Sequence, residues 1–123
     1  AVAVSWSGRA WAGSYLNRAA LLLAGSQAER DMVLPRSDDK DLLEVVHEVA
    51  AARTEAARKM NVPKQVAGAH PHLLLVLENC ERAYAAALEG ENQKFVEHIF
   101  RARSEDKTFR TLIRQLGYTL PKV

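Results

Sequence analysis

The sequence predicts an all-α protein, an up-down bundle of about four helices with or without an extended N-terminal arm. Three observations favour this fold class. Apolar residues recur three and four positions apart over long stretches. Alanine, which favours helix, supplies much of the apolar content, and no alternation of apolar and polar residues is long enough for a convincing strand. The 123 residues fit one domain, with residues 1–12 as an extended or docking arm and residues 13–123 as the bundle.

The composition limits the classes of function that we expect. The formal net charge of +2 is nearly balanced, so the molecule as a whole is not an evident polyanion binder. Cys80 is the one cysteine, which excludes an intramolecular disulfide and a cysteine-based zinc site. No apolar run approaches the ~20 residues of a membrane span. We therefore expect no transmembrane segment, and a cytoplasmic or organelle-matrix protein rather than a secreted one.

The N-terminal part of the chain is poor in acidic residues, the first of which is Glu29. Acid-poor segments with arginine and serine resemble organelle-import peptides, and chance is the alternative explanation. Trp6 and Trp11 lie in this part, outside any strong helical stripe. Because tryptophan is favoured as an anchor at protein interfaces, both are candidate partner-binding residues. The alternative is that they cover one end of the bundle.

The first two helices are predicted on either side of a proline-containing connector. The first runs from about Gly13 to Asp31, with an end or a bend at Gly25. The second begins at Ser37, a good N-cap residue, and ends before Pro63. The stripe expected to face the core in the second helix consists of Val45, Val49, Ala52, Ala56 and Met60, with Leu42 and Val46 on its flanks.

The third helix is predicted to begin at His70–Pro71 and to end before Gly90, which suits a C′ position with positive φ. It is the best candidate for the centre of the bundle, through Leu73, Leu77, Cys80, Tyr84 and Leu88. A fourth helical segment begins near Asn92 and closes at Gly117. Either a fresh helix starts at Ser104 or one continuous helix covers about 92–116. Its apolar residues are Phe95, Val96, Ile99, Phe100, Phe109, Leu112, Ile113 and Leu116.

Metal ligation has only weak candidates. Glu44 and His47 have the Glu-x-x-His spacing that ferritin-like di-iron sites use on two helices, but here the pair occurs once. His70 and His72 could chelate a divalent metal, although no third ligand is evident. We therefore predict no metal and no cofactor for one chain, and keep a dimeric metal-binding bundle as an alternative.

Enzymatic activity is uncertain, and its absence is the stronger expectation. Cys80 lies within an apolar stripe, where a small buried side chain is expected. A nucleophilic thiol would need a base and an environment that lowers its pKa, whereas Glu78 and Glu81 would act in the opposite direction. The sequence contains no phosphate-binding glycine loop and no nucleophile elbow, so no catalytic residues are predicted.

A basic face in the C-terminal half is the main candidate for binding. It comprises Arg101, Arg103, Lys107, Arg110 and Arg114. Such a face can neutralise phosphates, although Glu97, Glu105 and Asp106 interrupt it and an ordinary solvated surface is the alternative. Our leading hypothesis is a non-catalytic helical interaction module, a subunit of a larger assembly or a homo-oligomer. The second hypothesis is a small nucleic-acid-binding or ribonucleoprotein subunit that uses this face.

Overall fold

A computed structural model describes the backbone of residues 2–123 and the side chains of residues 12–123. It contains the α-helices α1 (Val2–Val33), α2 (Lys40–Arg58), α3 (His70–Leu88) and α4 (Asn92–Gln115), with single 3-10 turns at Leu34–Arg36 and Lys64–Val66. No strand occurs in the described chain. The all-α class and the four-helix bundle are therefore confirmed. Among the described residues, none of the helices combines the length and hydrophobicity that crossing a bilayer would take.

The helices run alternately up and down, as their short connections predict. α3 packs along both α2 and α4, while α1 packs against α2 and α3. α3 is therefore the central helix, as the sequence predicts. Its residues Leu73, Leu77, Cys80 and Tyr84 are buried, and Leu88 is partly buried.

Two apolar clusters fill the bundle, one towards each end. The first joins the N-terminal part of α3 to residues of every other helix; its largest members are Tyr15, Leu23, Leu73, Leu77 and Phe109. The second joins the first half of α2 to the last half of α3 and the first half of α4, around Leu43, Tyr84 and Phe95. Fully burying one such leucine contributes about 1.5–3 kcal/mol. The region between these clusters carries the polar side chains described in the next subsection.

α1 is longer than the sequence predicts. Its helical backbone begins at Val2, so residues 2–12 are helical rather than extended. A docking role for these residues stays a prediction. The side chains of Trp6 and Trp11 lie outside the described residues, and their partner-binding role stays a prediction. The helix also continues through Gly25, where an end or a bend was expected.

The buried stripe of α2 differs from the one that the sequence predicts. The core-facing residues are Leu43, Val46, Ala50, Thr54 and Ala57. Val45, which we placed in the core, is 58% exposed. Both stripes have helical spacing, so periodicity does not distinguish them. The N-cap is likewise Asp39, not Ser37, because the Asp39 side chain accepts a hydrogen bond from the Leu42 amide.

α4 is one continuous helix, the second of the two alternatives. The buried residues of α4 form one stripe that continues past Ser104: Phe95, Ile99, Ala102, Asp106, Phe109 and Ile113. Val96 and Phe100, which we grouped with the apolar face, are exposed instead. Gly90 and Gly117 have positive φ values of 73° and 88°, as expected for residues that follow a helix end.

Candidate functional site

A polar layer lies between the two apolar clusters, and each helix contributes to it. α1 supplies Ser26, Glu29 and Arg30, all of which are buried. The other helices supply Arg53, Cys80 and Asp106, of which Cys80 and Asp106 are buried. Buried charged side chains are rare unless they are paired. The contacts among these residues therefore decide what the layer does.

Arg30 is the centre of this layer and only 3% of its surface is exposed. Its Nη1 atom donates to the Ser26 hydroxyl at 2.8 Å and lies 3.5 Å from the Cys80 sulfur. The Ser26 and Cys80 side chains are themselves in contact at 3.1 Å. Burial lowers the pKa of Arg30, but its interactions with Cys80 and Asp106 outweigh burial and raise that pKa overall. The guanidinium therefore stays charged inside the bundle.

Asp106 binds two arginines at once. Its Oδ2 lies 3.4 Å from Arg30 Nη2, and its Oδ1 accepts a hydrogen bond from Arg110 Nε. The carboxylate, 6% exposed, thus fixes one guanidinium on α1 and another on α4. Because two positive charges meet one negative charge, this part of the structure remains positively charged.

A second ion pair lies on the other side of α1. Arg53 Nη1 is 2.8 Å from Glu29 Oε2, which joins α2 to α1. The guanidinium passes close to Gly25, where an added Cβ would meet Arg53 Nε at 3.2 Å. Tyr84 lies beside this pair; burial, Cys80 and Glu29 all raise the pKa of its hydroxyl. Glycine at position 25 therefore leaves space for the Arg53 guanidinium.

A groove of about 440 Å³ opens over Arg30 and Asp106, between the C-terminal part of α1 and the C-terminal half of α4. Five of its lining side chains are cationic: Arg30, Arg103, Lys107, Arg110 and Arg114. Two are carboxylates, Asp31 and Asp106. The groove is therefore net positive, with the Arg30–Asp106–Arg110 triad as its floor.

The groove brings together four of the five basic residues that the sequence singles out. Arg103, Lys107, Arg110 and Arg114 are separated by four, three and four residues, so they line one face of α4. Arg101 does not line the groove, because two residues of a helix correspond to about 200° of rotation. Within the described residues, Arg103, Lys107 and Arg114 have no acidic partner in a salt bridge.

The residues considered as metal ligands are placed at opposite ends of the bundle. Glu44 and His47 lie on the outer side of α2 with neighbouring acids, whereas His70 and His72 begin α3. No cluster of three potential ligands forms in the part of the chain that the structure describes.

Both ring nitrogens of His70 have partners within the protein. His70 Nε2 donates to the Ala57 carbonyl at 3.1 Å, so in the neutral ring Nδ1 accepts from the Tyr15 hydroxyl at 2.8 Å. Burial lowers the pKa of His70 and the bond to Ala57 partly opposes this effect. His72 instead contacts Glu105 of α4. His70 therefore has a structural role in the first apolar cluster.

Sequence reasoning missed the inner half of the site. In the sequence Asp106 looks like an interruption of the basic face, whereas in the structure it holds two of the arginines in place. Ser26 and Arg30 were not predicted, although Ser26, Glu29 and Arg30 are the polar residues at helical spacing after Leu23. Cys80 is buried as expected, but it has polar neighbours. These residues pair with side chains on other helices, and such pairing leaves no local pattern in a single sequence.

Comparisons with known proteins identify no relative. The chain matches no protein-family model, no curated protein and no solved structure.

Proposed function

We propose that the protein binds nucleic acid through the phosphate backbone, using the groove between α1 and α4. The observation that carries this proposal is the straight row of Arg103, Lys107, Arg110 and Arg114 over a positively charged floor. Cationic side chains that neutralise phosphates release condensed counterions, which drives association. The near-neutral net charge of the chain makes this surface a local feature rather than a property of the whole molecule.

The length of the row suits an extended polyanion better than an isolated phosphate. Eleven residues separate Arg103 from Arg114, which corresponds to about 16 Å along a helix that rises about 1.5 Å per residue. A single phosphate could contact only one or two of these side chains. A nucleic-acid strand, which carries one charge per nucleotide, can contact all four.

The cations of the groove have two different roles in this proposal. Arg30 and Arg110 are held by Asp106, so they provide a fixed positive floor. Arg103, Lys107 and Arg114 have no acidic partner among the described residues and are exposed. These three side chains can therefore reach phosphates without first breaking an ion pair.

Fluorescence anisotropy with labelled single-stranded and duplex oligonucleotides tests this proposal. The triple variant R103A/K107A/R114A is compared with the wild-type chain over a range of salt concentrations. We expect the wild-type affinity to fall steeply with salt. The triple variant should bind more weakly, and its log–log salt slope should be reduced by roughly 0.7–0.9 for each phosphate that the variant no longer neutralises.

A matched control removes three exposed cations elsewhere, in the variant K40A/K64A/R101A. It has the same net charge as the triple variant but leaves the groove intact. We expect it to bind like the wild type. The proposal is wrong if no oligonucleotide binds at low salt, or if the two variants lose affinity equally.

A second candidate function, docking of a helical protein partner, rests on the outer face of α2. Leu42, Val45, Val49, Ala52 and Ala56 follow a two-heptad spacing. Val45 and Val49 are exposed large apolar residues, and exposed apolar surface of this kind can mark interaction sites. The acidic residues that flank the face are Asp41, Glu44 and Glu48, whereas Glu55 is paired with Arg58 and Lys59.

The charge of these flanks specifies the partner as an amphipathic helix with lysine or arginine beside its apolar stripe. A second copy using the same face would bring acids against acids, which is unfavourable. The probe is a synthetic helix with leucine in its stripe and lysine on its flanks, titrated against wild type and V45S/V49S. We expect the variant to bind more weakly. Equal binding to both proteins would show that charge alone attracts the peptide and would overturn this candidate.

A further inference from the structure

The row of cations is the second half of a longer line along α4. Alternating steps of three and four residues connect Gln93, Val96, Phe100, Arg103, Lys107, Arg110 and Arg114. Residues at these steps share one face of a helix. The line is therefore uncharged and partly apolar in its N-terminal half and cationic in its C-terminal half.

Phe100 is the most exposed aromatic side chain among the described residues, with 63% of its surface accessible. The other phenylalanines, Phe95 and Phe109, are buried on the inner face of the same helix. Phe100 thus contributes little to the core, and its ring is open to a ligand. It precedes Arg103 by one turn, about 4.5 Å along the helix axis.

We infer that the groove takes single-stranded nucleic acid, with one base stacked on the Phe100 ring and the following phosphates on the cations of α4. This inference rests on the proposed function and specifies its ligand. Proteins that bind single strands combine a positive track for the backbone with aromatic rings on which bases stack. A nucleotide carries a base and a phosphate a short distance apart, so Phe100 and Arg103 can bind both at once.

A duplex uses only part of this surface. Its phosphates can reach Arg103, Lys107 and Arg114, but its base faces are already stacked on one another. Opening a base from the stack is unfavourable. The ring of Phe100 therefore favours a strand whose bases are already free.

Variants at Phe100 separate stacking from simple apolar contact. Phe100→Tyr keeps an aromatic ring, whereas Phe100→Leu keeps an apolar side chain without one. Leu21→Ala is the control, because Leu21 is also an exposed apolar residue but lies on α1. Both positions are on the surface, and circular dichroism verifies that each variant keeps the wild-type helix content.

The probes are fluorescein-labelled oligouridine and oligothymidine of about 12 nucleotides, a duplex of the same length, and inorganic polyphosphate, which is titrated directly by calorimetry. We expect the single strands to bind more tightly than the duplex. Phe100→Leu should weaken single-strand binding roughly 5-fold or more, while Phe100→Tyr and Leu21→Ala should stay close to wild type. Polyphosphate, which has no bases, should bind wild type and Phe100→Leu equally well.

The outcomes distinguish this inference from the function on which it rests. If no probe binds, the proposed function is wrong. If single strands, duplex and polyphosphate bind alike and Phe100→Leu has no effect, the groove is a general polyanion site and the inference is overturned. A loss for Phe100→Leu that is equally large with polyphosphate also overturns it, because stacking cannot explain that loss. The oligouridine and oligothymidine arms tell whether the strand is RNA, DNA or either.

Discussion

Arg30 of α1 and Asp106 of α4 form a buried ion pair, 3.4 Å between Nη2 and Oδ2, across the base of the groove. α1 and α4 are the first and last helices of the chain, and 76 residues separate these two side chains. The pair connects the two walls of the candidate site. It also determines that the groove has a charged floor rather than an apolar one.

Replacement of Asp106 by asparagine should destabilise the fold. The change leaves the Arg30 guanidinium buried without its countercharge, and breaking a buried pair in this way costs about 3–5 kcal/mol. Urea denaturation followed by circular dichroism measures the loss. Asp31→Asn is the control, since Asp31 lines the same groove but is exposed, and we expect it to change stability by less than about 0.5 kcal/mol. Equal stability of the two variants would contradict the buried pairing.

Two adjacent valines test which face of α2 is buried. Val46 is 3% exposed and Val45 is 58% exposed. Val46→Ala should cost about 2 kcal/mol, because it removes buried apolar surface and leaves a small cavity. Val45→Ala should be neutral or slightly stabilising, since alanine has the higher helix propensity. Thermal or chemical denaturation measures both changes in stability. A larger loss for Val45→Ala than for Val46→Ala would support the stripe that the sequence alone suggests.

Acidification should destabilise the protein partly through His70. Burial lowers the pKa of His70 from its usual 6.5, so below about pH 6.5 the unfolded state binds a proton more readily than the folded state. The free energy of unfolding therefore falls as the pH drops below 6.5, and this contribution levels off below the folded-state pKa. Above pH 6.5 the stabilising effect of the neutral ring is fully present.

The variant His70→Gln, which does not titrate, isolates this contribution. We expect its stability to fall less than that of the wild type between pH 7 and pH 5, measured by urea denaturation. His98 adds an effect of the same sign, since burial and nearby arginines lower its pKa, so some slope should remain. Parallel pH profiles for wild type and His70→Gln would show that His70 is not the titrating group.

Two helical glycines differ in the space around them. An added Cβ at Gly13 meets no described atom within 4 Å, whereas at Gly25 it lies 3.2 Å from Arg53 Nε and Nη2. Gly13→Ala should therefore give the usual helix gain of about 0.5–1 kcal/mol. Gly25→Ala should gain less or lose stability, because it displaces the guanidinium that pairs with Glu29. Equal gains, measured by thermal denaturation, would contradict the close packing at Gly25.

The sequence predicts the buried face of a helix well only when one face is much more apolar than the others. α3 has one face that is much more apolar than the rest, and four of the five residues that the sequence places on it are buried. The buried surface of α3 is wider than this stripe and also includes His70, Asn79 and several alanines. α2 has two apolar stripes of similar size, and the structure buries the other one. For α4, Ala102 continues the inward stripe past Ser104, so the helix-start pattern at Ser104–Asp106 has no effect on the helix.

The candidate site is only half predictable for a related reason. Four of the five cations that line the groove lie on α4 and are visible in the sequence as a periodic pattern. Arg30 joins this row only through Asp106, and Ser26 and Cys80 contact Arg30. Contacts between residues 50 or more positions apart leave no local pattern in the sequence. Asp106 is easily misinterpreted because an acid among basic residues looks like an interruption of the face, whereas here it organises them.

The polar layer also affects the axial position of α1 relative to the neighbouring helices. The buried face of α1 combines the large side chains of Tyr15 and Leu23 with the small ones of Ala12, Ala19 and Ala20. Sliding α1 by one turn would shift Arg30 about 5.4 Å and strand it away from Asp106 and Ser26. Charged groups that lose their partners in a shifted arrangement penalise it. The polar layer therefore adds an electrostatic requirement for one alignment of α1 to the packing of Tyr15 and Leu23.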